Sequence, residues 1–176
     1  GMAEIFAVAA DNLADTRIAS RIRPQDAALM EPLACVVKSA RQIPDSNAIA
    51  IIGLGSMGLM HMALFQEFGP LGFDINPSRR EWAQGLGFSA PERASGKFQS
   101  VVVCPGNQSA LDLAFELVAP KGWIVLFAPM PPGEPVQIPW DRLYFDEIGI
   151  VPTYSCGPTD TLNAISLLRK GKIKAE

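Results

Sequence analysis

Residues 48–58, Ala48-Ile49-Ala50-Ile51-Ile52-Gly53-Leu54-Gly55-Ser56-Met57-Gly58, run from five consecutive apolar residues straight into a GxGxxG turn. A short apolar run without polar alternation suits a strand buried on both faces of a parallel sheet. Residues 56–68 continue with helical spacing, so the turn lies between a strand and a helix. In that place glycines permit a tight turn, close approach of main chain to a pyrophosphate and close packing of helix on strand. The helix start adds free N–H groups and a dipole that favours anions. Glycine-rich turns of this kind also occur without a ligand, so the pattern needs a second mark.

Asp74 supplies it. The residue closes the next strand-like run, about twenty residues after Gly53, where a carboxylate can accept hydrogen bonds from the adenosine ribose. A 2′-phosphate about 4 Å from it would be repelled by roughly 1–4 kcal/mol, which argues for NAD over NADP. Arg79 softens that preference, because a guanidinium could brace the ribose or partly neutralise a phosphate. Two competing ligands fit less well. A methyl-donor site of the S-adenosylmethionine type usually has an acid two residues before the first glycine, where this chain has Ile51, and no Gly-Lys-Ser or Gly-Lys-Thr of a P-loop occurs.

Working outward, short apolar runs alternate with longer helical patterns, the mark of βαβ units on a parallel sheet. Strands are expected over 48–52, 71–73, 88–90, 101–104, 123–127 and 148–151, and helices over 56–68, 77–86, 108–118 and 158–170. Upstream, Glu31-Pro32 opens a segment whose Leu33, Val36, Val37 and Ala40 fall at helical spacing, with the acid and the proline suited to a helix start. Residues 4–9 read as strand-like, residues 91–97 as loop, and the Pro-rich 129–139 as a loop over the sheet edge. The expected fold is α/β, a Rossmann doubly wound parallel sheet of six strands.

The chain has 176 residues, 48% apolar and 19% charged, and 15 Lys plus Arg against 18 Asp plus Glu leave a formal charge of −3. One domain of this length buries roughly 70% of its unfolded surface and needs neither disulfides nor metals to fold. The charge balance argues against a nucleic-acid partner. No apolar run reaches the roughly eighteen residues of a membrane span and no signal-peptide pattern opens the chain, so a soluble, cytoplasmic protein with no membrane partner is expected. Cys35, Cys104 and Cys156 are widely spaced, and none lies near the single histidine, His61, in sequence. They suggest neither a disulfide scaffold nor a self-contained Cys/His zinc site. Gly1 before Met2 reads as a residue left by cloning.

From residue 26 onward the chain resembles the medium-chain, zinc-type alcohol dehydrogenases, nearest the sorbitol and threonine dehydrogenase branch. The resemblance rests on Asp26-Ala27-Ala28-Leu29-Met30-Glu31-Pro32-Leu33-Ala34-Cys35, the glycine loop with Leu59-Met60, Phe73-Asp74-Ile75-Asn76-Pro77, Cys104-Pro105-Gly106-Asn107, Val118-Ala119-Pro120-Lys121-Gly122 and Pro152-Thr153-Tyr154-Ser155-Cys156-Gly157-Pro158. It implies a nucleotide-binding domain over 24–176, preceded over 1–23 by a remnant of the family's GroES-like catalytic domain. Backbone around Gly55, Ser56 and Met57 would hold the pyrophosphate, between Gly53 and Gly58, and Asp74 with Arg79 would hold the ribose. Cys104 and Pro105 would border the groove. Phe127, Ala128, Gly149 and Val151 would offer main-chain groups to the nicotinamide. Glu31 falls where the family places a ligand or near-ligand of its catalytic zinc; as a residue, it equally suits a helix-start acid.

The chain also departs from that family. The Cys and Gly-His-Glu motif that bind the family's catalytic zinc have no counterpart in these residues, and a lone Glu31 cannot hold a zinc that needs about three protein ligands. The stretch from Gly69 to Asp74 is shorter than usual, and residues 91–97 replace a fuller crossover helix. The expectation is the NAD-binding domain of a zinc-dependent alcohol or polyol dehydrogenase, incomplete as an enzyme, with a dinucleotide and a separate catalytic domain as partners. A homodimer through the edge of the sixth strand is expected. The alternative is a stand-alone nucleotide-binding or interaction module without catalysis.

Overall fold

The structure, a computed structural model, describes residues 5–16, 20–44 and 48–175. A 3₁₀ turn over Ala10–Asp15 and two helices, α1 (Pro24–Ala27) and α2 (Met30–Ala40), precede the alternating part. There β1 (Ile49–Ile52) leads to α3 (Ser56–Leu64), β2 (Leu71–Phe73) to α4 (Pro77–Gly85) and β3 (Phe98–Val103) to α5 (Gln108–Leu117). Next come β4 (Val118–Leu126), α6 (Trp140–Phe145), β5 (Gly149–Pro152) and α7 (Pro158–Arg169). The strands form one parallel sheet in the order β2-β1-β3-β4-β5.

Side chains on opposite faces of that sheet feed separate cores. Ala50, Ile52, Val101, Val103 and Ile124 pack with Leu111, Ala114 and Phe115 of α5. Ile49, Ile51, Val102 and Val125 pack instead with Leu54, Met62 and Ala83. A third cluster joins Leu33, Val36 and Val37 of α2 to Met60 of α3 and Ala164 and Leu168 of α7. Two layers of helices around a sheet whose central strands are fully buried are what the continuous apolar runs require.

Four expectations need correction. The sheet has five strands among the described residues, not six: residues 88–90 keep one bridge, Leu71 to Ser89, beside β2. Gly87, in the left-handed region at φ 85°, and Pro91 confine the segment, and the Ala90 carbonyl accepts a hydrogen bond from Gln84 Nε2 at 2.7 Å rather than joining a ladder. β4 starts at Val118, where a helix end and a turn were expected. Lys121 at φ 61° and Gly122 absorb a register shift there, between the pairs Phe98 with Val118 and Ser100 with Trp123. In the segment read as strand-like, Glu4 lies outside the described residues. Residues 5–9 form no strand, and Ile5 and Phe6 are exposed, without a neighbouring strand to pair. The helix read over 56–68 breaks at Phe65, where φ −97° and ψ 12° convert it to a 3₁₀ turn over Gln66–Phe68.

Candidate dinucleotide groove and the cleft beside it

All five strands end on the same side of the sheet, the side where ligands of open α/β sheets bind. Gly53, at φ 88°, makes the first turn there, and its N–H donates to the Phe73 carbonyl at 2.7 Å. A side chain on Gly53 would strike Pro105 at 2.8 Å. Gly58 sits against the same turn: a Cβ would stand 1.8 Å from the Gly53 carbonyl oxygen, so helix and strand meet main chain to main chain. Gly55 differs, since a Cβ there would meet nothing within 4 Å. As the N-cap of α3 it offers no side chain to the N–H groups of Ser56, Met57 and Gly58. Open space in front of an uncapped helix start fits a pyrophosphate.

Asp74 stands beside this turn with its side chain 4% exposed. Its Oδ2 accepts the Leu54 N–H at 2.7 Å and its Oδ1 accepts the Asn76 N–H at 2.8 Å. The carboxylate thereby braces the glycine turn, and an ionised carboxylate retains lone pairs for further donors. Arg79 Nη1 lies 3.6 Å from Oδ2 on a side chain 57% exposed. Arg80, which the sequence did not single out, donates to the Asp74 and Ile75 carbonyls at 2.9 and 3.2 Å and fixes the turn after β2. Asn76 caps α4 by accepting the Ser78 N–H at 2.9 Å.

Beyond β3, Cys104 lies within 4.0 Å of His61 Nδ1, and burial pushes its thiol up to about 12. His61 is fully buried. Its Nδ1 lies 2.8 Å from the Met57 carbonyl and its Nε2 3.1 Å from Ser39 Oγ. The carbonyl can only accept, so Nδ1 carries the proton and Nε2 accepts the Ser39 hydroxyl. Burial lowers the His61 pKa to about 4, leaving a neutral packing residue stacked edge-on against Phe127. At the ends of β4 and β5 a cleft of about 350 Å³ opens, lined by Cys35, Phe127, Ala128, Met130, Thr153 and Tyr154 among others. Val151 and Gly149 lie in β5, paired with Val125 and Trp123, and the cleft takes the residues that follow them. Pro129, which also lines it, is approached closely by Gly106, where a Cβ would stand 1.9 Å from the Pro129 carbonyl oxygen.

The fold also brings together residues that the sequence left apart. Glu31 and Cys35, one turn apart on α2, meet Cys156 on the loop before α7, and their ligand atoms all lie within 4.8 Å of one another. The i, i+4 spacing of Glu31 and Cys35 was readable, but the approach of Cys156 depends on how α7 packs against α2.

No family model matches the chain, and no curated protein matches it. Solved structures do. A protein of Sinorhizobium meliloti 1021 described as a zinc-binding dehydrogenase, bound to NADP, aligns with TM-score 0.79 and 22% identity over 88% of this chain and 51% of its own. L-idonate 5-dehydrogenase from Escherichia coli aligns with TM-score 0.78 and 20% identity, over 89% of this chain and 49% of its own. Acetophenone reductase from Geotrichum candidum, in complex with NAD, gives 0.74 and 20%, over 84% and 46%. This chain therefore spans about half the length of the structures it matches. No helix among the described residues is long and apolar enough to cross a membrane. Sheet order, parallel strands and structural likeness together establish a Rossmann-type α/β domain.

Proposed function

We propose that this chain is the dinucleotide-binding part of a zinc-type alcohol or polyol dehydrogenase, with NAD preferred over NADP. The observation that carries this is the uncapped start of α3 facing open space at Gly55, one strand from Asp74. The solved structures it resembles include a zinc-binding dehydrogenase bound to NADP and a reductase in complex with NAD. Main-chain N–H groups of Ser56 and Met57 hold the pyrophosphate, Asp74 orients the adenosine ribose, and Arg79 covers its outer side. Main-chain groups near Phe127, Ala128 and Val151 align the nicotinamide in the cleft. The nicotinamide, when bound, supplies the hydride acceptor. Residues 1–23 are the end of a catalytic domain and residues 24–176 the nucleotide-binding domain. Two copies pair through the free edge of β5.

Calorimetric titration of the chain with NAD and with NADP tests the proposal. NAD is expected to bind about tenfold more tightly, the separation produced by roughly 1.4 kcal/mol of repulsion between the Asp74 carboxylate and a 2′-phosphate. Absence of binding by either nucleotide at millimolar concentration refutes it.

A further inference from the structure

The cluster at the end of the cleft has the chemistry of a metal site. Glu31 and Cys35 project from consecutive turns of α2, with Cys35 Sγ 3.4 Å from Glu31 Oε1, and Cys156 completes a group of three ligand atoms within 4.8 Å of one another. Tetrahedral zinc, with bonds of about 2.3 Å to sulfur and 2.1 Å to oxygen, needs its ligand atoms about 3.6–3.8 Å apart. Small side-chain rotations, well within the reach of exposed Glu31, close that gap. We propose that Glu31, Cys35 and Cys156 bind one thiophilic divalent cation of the zinc class, leaving a fourth position for water or a ligand.

Two further observations support the assignment. The Cys156 loop is fastened to the helix that bears the other two ligands. Lys38 Nζ donates to the Tyr154 carbonyl at 2.6 Å, and Arg41, also on the helix's C-terminal side, pairs with Asp160 at the start of α7. Asp160 in turn accepts the Gly157 N–H at 2.9 Å, so the residue after Cys156 is held from both directions. The donor set selects the metal, since two thiols with one carboxylate favour zinc over magnesium or calcium.

The site requires no nucleotide, so its failure and that of the dinucleotide reading are separable. The full chain, reduced and freed of metal, is titrated with Co²⁺ alone. The expected result is one equivalent bound, with a thiolate-to-cobalt charge-transfer band and the intense visible bands of tetrahedral cobalt, both abolished by added Zn²⁺. Cys35→Ser and Cys156→Ser each remove the charge-transfer band although Cys104 remains, and Glu31→Gln weakens cobalt binding about tenfold. Should a variant fail to fold, alkylation of the unaltered chain gives an independent readout: Zn²⁺ should protect Cys35 and Cys156, leaving Cys104 at its metal-free rate. The proposal is overturned by the absence of a charge-transfer band at one equivalent, by its survival in both serine variants, or by equal alkylation with and without Zn²⁺. A Cys35–Cys156 disulfide with no cobalt band after reduction also overturns it.

Discussion

At Gly58 an added methyl would stand 1.8 Å from a main-chain oxygen, whereas at Gly55 it would meet nothing within 4 Å. The two glycines of one turn therefore separate folding from binding. In Gly58→Ala the clash with rigid backbone costs about 3 kcal/mol, and better helix propensity returns only about 1 kcal/mol, so denaturant titration should show a net loss of about 2 kcal/mol. In Gly55→Ala stability should change by less than about 1 kcal/mol, because φ −74° suits any residue. Calorimetry should nevertheless show NAD affinity falling about tenfold or more, since the methyl occupies the space assigned to the pyrophosphate. Unchanged affinity in Gly55→Ala would contradict that assignment. While the pyrophosphate role of Gly55 stays a proposal, the close packing at Gly58 was legible in the sequence, because a GxGxxG turn between a strand and a helix calls for it. The bracing of the turn by Asp74 was not, since a carboxylate suited to ribose is equally suited to a main-chain N–H.

Between elements, His61 ties α3 to α2 through Ser39 and to its own first turn through Met57. Its pKa falls from 6.5 to about 4 because burial disfavours the charged ring. The unfolded chain then binds the extra proton first, so the His61 contribution is complete above about pH 6.5 and is lost as pH falls toward 4. The loss amounts to about 3 kcal/mol, and thermal unfolding across that window should show it, with the slope absent in His61→Gln. A flat profile from pH 6.5 to 4 would exclude a buried neutral histidine. At this scale β1, β2, α3, α4, α5 and α7 were readable from apolar runs, glycines and prolines. α6 was not, because Trp140–Phe145 follows a Pro-rich loop and stays largely exposed, giving no inward stripe to detect. The expected strand over 88–90 failed because Gly87, at positive φ, and Pro91 confine Phe88-Ser89-Ala90 and leave it a single bridge. The Glu31, Cys35 and Cys156 cluster was invisible for another reason: it joins segments more than 100 residues apart.

At the scale of the molecule, β5 has a partner on one side only among the described residues, and the helix leading into it exposes Trp140 by 67%, Tyr144 by 67% and Phe145 by 77%. An unpaired edge beside an apolar surface favours pairing with a second copy across a two-fold axis. Light scattering at micromolar concentration should give twice the mass of one chain. Phe145→Glu, a change at an exposed position, should shift the protein to a monomer without lowering its melting temperature appreciably. A monomeric mass for the unaltered chain would contradict the pairing. The contact of Gly106 with Pro129 acts on the same scale. Because main chain meets main chain where the loop after β3 passes the loop after β4, that lip is set by packing, and a guest molecule entering beside it would give up chiefly its own freedom on association.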